Sequence, residues 1–308
     1  MRNGLGATLV TATAVIWGGQ WVVGRSALGH VDAFNLTTLR YAWAGALLLV
    51  VLAAVEGRDA LRFDGHGLRL FGLGTLGFAG FNLFAYVGLE HATATSASLI
   101  TSLAPLLAAL LLWLRGAGRP TSSTVVALAI ALFGVAVVLG HGDPASVFTG
   151  AIGSGDILVL AGVSSFLVYT VSAGSVPGFS PLRYTALTAS LGWTSIFAAT
   201  VIADATGLEH VPSPGDVQAA LPSLAYIAVL GAVVAVTTWN LGVARLGTQN
   251  ASLFMNLMPV TTFAIAIGRG YHPSALELGG AALTILALVG ANVYERLGSG
   301  PDPVPLFD

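Results

Sequence analysis

Residues 97–105 read ASLITSLAP, and residues 251–259 read ASLFMNLMP. Ala, Ser, Leu, Leu and Pro recur in one register, 154 residues apart. Each copy lies inside a long apolar stretch. Around the first, Thr95, Ser98, Ser102 and Pro105 are spaced 3, 4 and 3, which places them on one helix face. Around the second, Gln249, Ser252, Asn256 and Pro259 take the equivalent positions. Polar side chains turned toward hydrocarbon are costly, so both stripes are expected to face protein or water.

The surroundings of the two phrases set the solvent. Of 308 residues, 55% are hydrophobic and 8% are charged, against about a quarter charged in a soluble domain. That is too little charge to coat a surface in water, so the expected solvent is lipid. Ten apolar stretches of about 20 residues, each long enough for a ~30 Å core, are placed near 5–24, 34–55, 69–89, 95–114, 122–140, 155–174, 181–203, 219–243, 249–268 and 275–294. The first reads as a retained span, since its apolar run passes signal-peptide length without a clear cleavage site. Only helices satisfy the backbone within each crossing segment, so the expected fold class is an all-α integral membrane bundle of ten transmembrane helices.

An even span count puts both termini on one side. That side receives Arg2, Arg58, Arg62, Arg69, Arg115, Arg119, Arg183, Arg245 and Arg296; the other receives Arg25, Arg40 and Arg269. The bias predicts cytoplasmic termini in the inner, or plasma, membrane.

The repeat extends beyond the opening phrase. At the same offset Leu76-Gly77 pairs with Leu230-Gly231, Gly88 with Gly242, and Arg115-Gly116 with Arg269-Gly270. With small drifts, Gly6 pairs with Gly155, Gly29 with Gly178 and Gly134 with Gly290. The chain therefore reads as a first five-helix repeat at 1–145, a second at 146–296 and a flexible tail at 297–308. Five is odd, so the second repeat enters the membrane from the opposite side, which makes the two halves inverted repeats. Their polar stripes would then meet near the midplane, where such proteins bind substrate.

Candidate substrate-binding residues follow. Ser98, Ser102, Asn240, Ser252 and Asn256 offer hydrogen bonds; Trp17, Tyr86, Tyr169 and Trp239 offer stacking; Gln20 and Asn82 share these faces. Pro105 and Pro259 are candidate hinges, each freeing the carbonyl four residues earlier. The same residues also suit other roles: the tryptophans an interfacial belt, Asn and Gln helix-to-helix bonds, the prolines static kinks. Arg40, within TTLRYAWAG, could bind a substrate carboxylate. It could instead snorkel to the outer interface or tie helices together by bonding carbonyls.

Much chemistry is excluded. With no Cys there are no disulfides, thiolate metal sites or thiol catalysis. No HExxH, P-loop or dinucleotide fingerprint is present, no acid falls mid-span, and no basic run tracks phosphates. The expectation is no enzyme, no cofactor, no metal and no nucleic acid. The partners are the lipid bilayer and a small-molecule substrate, with the oligomeric state open.

The stretches IWGGQWVVGRSALGH, LTTLRYAWAGALLL, ATSASLITSLAPLLAALLLWL and NLGVARLGTQNASLFMNLMPVTTFAIAIG resemble the EamA family of the drug/metabolite transporter superfamily, over about residues 5 to 295. The resemblance implies ten helices in inverted halves, a central cavity, alternating access and export or exchange of small metabolites, amino acids among them. One departure stands out: the family's Gly-Glu pair after the fourth and ninth spans is replaced by RGAGRPT and RGYHPSA, so no coupling role of that acid transfers. The expected function is a secondary transporter of a neutral or zwitterionic, amino-acid-like metabolite. The alternatives are a passive channel or pore, a non-transporting receptor, and a carrier of sugar phosphates or nucleotide sugars, which would want more basic groups than Arg40.

Overall fold

The computed structural model describes residues 2–116, 122–149, 152–246, 251 and 254–298. The described residues form helices and no strands. In chain order these are α1 (Arg2–Ala27), α2 (Ala33–Glu56), α3 (Gly67–Gly74), α4 (Phe81–His91), α5 (Ala94–Ser102), α6 (Ala104–Leu114), α7 (Ser122–Leu139), α8 (Ser154–Val171), α9 (Pro181–Thr206), α10 (Pro214–Ala225), α11 (Ala235–Leu246), α12 (Leu257–Gly268) and α13 (Ala275–Gly298). Local chemistry sets several ends. Asp32 caps α2 by accepting the N–H groups of Phe34 and Asn35, and Thr93 caps α5 by accepting that of Ser96. Ser213 and Asp216 cap α10 reciprocally. Gly207, at φ 74°, closes α9 in the left-handed region.

Among the described residues seven helical segments are long and apolar enough to cross a membrane: 4–27, 33–56, 67–91, 122–139, 154–171, 181–206 and 214–243. The expected fourth span is broken beside Pro105. Its halves, Ala94–Ser102 and Leu106–Leu114, meet at 49°, and counted as one they bring the total to eight. Leu257–Gly268 and Ala275–Ala291 are apolar but shorter. The break follows from Pro105, which has no N–H to continue the ladder. A second break falls at Asn256, ahead of α12 and Pro259. The breaks are near-equivalent: Leu103 has φ −72°, ψ −10° and Asn256 has φ −65°, ψ −12°.

The spans 67–91 and 214–243 each contain a π-helical segment, Thr75–Gly80 and Tyr226–Val234. Shifted by 154 residues, the first falls on 229–234, inside the second. Hydropathy carries no signal for a π segment, because both sides of the transition remain apolar helix.

Burial is inside out relative to a soluble protein. Exposed positions include Val125, Val126, Phe133, Ile202 and Leu286, whereas Thr13, Arg40, Asn82, Ser98, Thr188, Thr262 and Thr284 are buried. Polar groups thus satisfy one another within the bundle and leave its outside to lipid.

Packing pairs the helices in a regular way. Helix α1 packs on α11, α12 and the Tyr226–Val234 segment; α8 packs on α4, on α5 and α6, and on the Thr75–Gly80 segment. Helix α2 packs on α9, and α7 on α13. Exchanging each helix for its sequence equivalent turns this set of pairings into itself. The glycines recognised as repeat partners mark the crossings: Gly88 meets Gly155, and Gly242 approaches Gly6.

Candidate functional site

Three helices, α1, α2 and α4, meet at Arg40. Its helix, α2, supplies the guanidinium from the eighth position, about 10 Å along the axis from the helix start. The side chain is 3% exposed. Nη1 donates to Asn82 Oδ1 at 2.8 Å and to the Tyr86 hydroxyl at 3.2 Å, both on α4. Nη2 donates to Gln20 Oε1 on α1 at 3.2 Å. The rings of Tyr41 and Tyr86 flank the cation at 5.0 and 5.7 Å. Arg40 therefore ties helices together through side-chain oxygens. It does not snorkel to an interface, and among the described residues it bonds side-chain oxygens instead of backbone carbonyls, because neutral acceptors within its reach hold it inside.

The acceptors are themselves held. Asn82, fully buried, donates from Nδ2 to the Tyr41 hydroxyl at 3.1 Å and to the Phe78 carbonyl at 2.9 Å. Gln20 Oε1 rests on Gly231, where any side chain would collide with it. Gly24, one turn beyond Gln20, leaves room for the Tyr86 ring, which a Cβ would approach to 2.8 Å. Trp17 donates from Nε1 to the Gly231 carbonyl at 2.8 Å, and its ring lies 6.0 Å from that of Trp239. Trp17, Gln20, Trp239 and Asn240 are half-buried. Trp17 and Gln20 both reach Gly231 of the Tyr226–Val234 segment.

The other expected site residues lie elsewhere. The Ser98 hydroxyl, fully buried, is 2.9 Å from that of Thr262, which also lies 2.7 Å from the Gly18 carbonyl oxygen. It joins α5 to α12 and α1. Ser102 donates to the Leu99 carbonyl of its own helix at 2.6 Å. Tyr169 stacks on Tyr184 at 5.0 Å, and its hydroxyl is 3.1 Å from that of Thr188. Its ring lies against Gly77, the repeat-related counterpart of Gln20 against Gly231. Asn256 and Pro259 are buried at the start of α12. Gln249 and Ser252 lie outside the described residues, and the tail from 299 onward does too. Pro105 lies in the first turn of α6.

Sequence spacing brought Gln20, Asn82 and Tyr86 to notice, and all three meet on Arg40. It passed over Tyr41 and Thr262, and marked Gly231 only as a repeat partner of Gly77. Tyr41 adjoins Arg40, and neighbours on a helix diverge by about 100°, so a face-by-face search separates them.

A cavity of about 160 Å³ lies away from this cluster. Helix ends and loops line it with Thr93, Ser96, His141, Asp156 and Tyr271. There Asp156 accepts the Gly153 N–H at 3.1 Å. The Glu277 carboxylate draws in His141 Nδ1 at 3.0 Å and the Tyr271 hydroxyl at 2.7 Å. Burial and that carboxylate push the Tyr271 hydroxyl up to about 12. Among the described residues no group of three or more His, Cys, Asp or Glu could hold a metal ion.

An all-helical bundle with a lipid-facing exterior and a buried cluster of Arg, Asn, Gln and Tyr has the make-up of a multi-pass membrane transport protein. The chain belongs to the EamA-like transporter family, whose model matches residues 4–140 and again 153–293. It is 27% identical over 300 residues to the uncharacterized transporter YrdR of Bacillus subtilis, covering 95% of this chain and 92% of that one. It is 25% identical over 287 residues to a probable terminal-alkyne amino-acid exporter of Streptantibioticus cattleyicolor, covering 91% of each. A crystal structure of 23% sequence identity superposes with a TM-score of 0.62, over 95% of this chain and 99% of that one. At that identity the likeness concerns the fold alone.

Proposed function

We propose that this protein is a secondary transporter that exports a small neutral or zwitterionic metabolite of amino-acid type. It works by alternating access between two inverted five-helix halves, 1–145 and 146–296. The carrying observation is the exchange symmetry of the packing. Gln20 lies on Gly231 as Tyr169 lies on Gly77, and α1 crosses α11 and α12 as α8 crosses α4, α5 and α6. Two equivalent half-bundles can rock about one centre, and the breaks at Leu103 and Asn256 are where each half would flex. Ten spans follow once the bent α5–α6 pair and the short α12 and α13 each count as one. The double family match supports the two halves, and the exporter among the relatives supports an amino-acid substrate. The arginine bias supports the plasma membrane with cytoplasmic termini.

Trp17, Gln20, Asn240 and Trp239 would line the substrate path, with Asn82, Tyr86 and Asn256 behind them. Reconstitution in proteoliposomes tests the reading. Labelled amino acids should enter with saturation and should be accelerated by unlabelled amino acid on the opposite side. Flux that rises linearly with concentration, without counter-exchange, would identify a channel and overturn it.

A further inference from the structure

Among the described residues Arg40 has no counter-charge paired with it. Arginine is rarely buried unless paired, and within a bilayer an unpaired one is expensive. Yet the side chain is 3% exposed, and among the described residues no ion pair includes it. Its three partners, Asn82, Tyr86 and Gln20, are neutral oxygens. They disperse the charge without cancelling it.

The unfilled valence has a direction. A guanidinium carries five N–H donors in a planar fork. The two on Nη1 go to Asn82 and Tyr86. Nη2 has Gln20, and Nε, buried, has no partner. Nε–H and one N–H of Nη2 leave the same edge of the plane, parallel and spaced to receive the two oxygens of a carboxylate. Gln20 is the partner of Nη2. It is half-buried, and an amide oxygen is a weaker acceptor than a carboxylate, so it can be displaced. Trp17, one turn earlier on α1, bonds the carbonyl of Gly231, the residue on which Gln20 also rests, and its ring lies 6.0 Å from that of Trp239.

We infer that the Nε/Nη2 edge of Arg40 is a carboxylate-binding subsite, that Gln20 holds it in the unliganded protein, and that the ligand is an organic acid whose apolar part lies against Trp17 and Trp239. The inference rests on the transport reading only for what happens after binding. It restricts the substrate class: amino acids and related carboxylic acids are bound, while their amides and amines are refused. Refusal has two causes, the lost bidentate bond and the repulsion between Arg40 and a ligand left with a net positive charge.

The test uses the purified full-length protein in detergent at neutral pH, with thermal unfolding as readout. The probes are L-phenylalanine, phenylalaninamide and phenethylamine; L-leucine, leucinamide and isoamylamine; and propionate. The acids should raise the melting temperature with an apparent affinity at least about tenfold above the matching amides and amines. Arg40→Gln should abolish the response to the acids. Gln20→Glu should tether a carboxylate on the same edge, raise the melting temperature of the unliganded protein and remove the response. Because position 20 is half-buried, that variant decides the matter if Arg40→Gln fails to fold. Equal responses to acids and amides, a Gln20→Glu protein that responds as the wild type does, or no carboxylate response at all would each overturn the inference. Proteoliposomes separate it from the transport reading. Counter-exchange of amines or amides without acids leaves a transporter but removes the subsite. Acid binding that depends on Arg40 without counter-exchange leaves the subsite but removes the transporter.

Discussion

Gly88 in α4 and Gly155 in α8 touch backbone to backbone. A Cβ on Gly88 would come within 2.6 Å of the Gly155 carbonyl oxygen, and one on Gly155 within 2.5 Å of the Gly88 carbonyl oxygen. Neither oxygen can turn aside, because each belongs to a helix. Gly155→Ala is therefore expected to force the helices apart and cost about 1–3 kcal/mol. At the repeat-related crossing, a Cβ on Gly242 would first meet the Val10 side chain, which can move. Gly242→Ala should cost less. Unfolding midpoints of the two variants in detergent check the order; the reverse order would show that the crossings are not held as described.

Asn82 serves Arg40, Tyr41 and the Phe78 carbonyl at once. Asn82→Leu has nearly the same volume but strips an acceptor from a buried cation and leaves the Tyr41 hydroxyl without its donor. The expected loss is about 1–3 kcal/mol. Asn82→Asp should fold and should depress the response to carboxylates, since it supplies the missing counter-charge. Melting curves with and without L-phenylalanine read both effects.

Ser98 is tied to Thr262 beside the Gly18 carbonyl, so its role here is to join helices. Ser98→Ala should cost about 0.6 kcal/mol, an ordinary interhelical bond in a membrane, and leave ligand affinity within twofold (roughly 0.4 kcal/mol). Trp239→Ala should weaken ligand binding at least about tenfold with little effect on the unliganded melting point. Equal affinity losses in the two variants would return Ser98 to the substrate path.

Glu209 lies beyond α9, outside the spans. Lost hydration first, then the negative charges of Asp32, Glu90 and Asp204, hold its carboxyl above the ordinary range, with His210 opposing. An acid with a raised folded pKa contributes stability below its unfolded value, about 4.3. That contribution is lost as pH rises through the raised folded value. Glu209→Gln should flatten this decline, so that the variant gains on the wild type toward neutral pH. Melting temperature followed from acid to neutral pH measures the difference between the slopes; parallel curves would mean that the group titrates as it does in the unfolded chain.

Much of the fold was legible because its causes are local. Apolar length marks where 33–56 and 181–206 cross, and the recurring Gly-Leu and Ser-Leu-Pro registers mark which segments correspond. The helix breaks were legible from Pro105 and Pro259, whose missing N–H groups act within one turn. The π segments were not, since both sides of each transition remain apolar helix; within them Gly77 and Gly231 meet Tyr169 and Gln20 from other helices. The site divided in the same way. Polar residues on helix faces could be read from spacing, but which face met which could not: Ser98 meets Thr262 and Tyr169 meets Thr188, each on another helix.

The sequence by itself determined that this chain lives in lipid as helices, and that the second half repeats the register of the first. Hydrophobic length and backbone self-satisfaction allow no other solution once water is absent. Only the tertiary structure decided what Arg40 does. A lone arginine in a span can snorkel, bind carbonyls or wait for an anion. The choice depends on acceptors from α1 and α4, 20 and 42 residues away in the chain, which packing brings to its plane and which leave Nε without a partner.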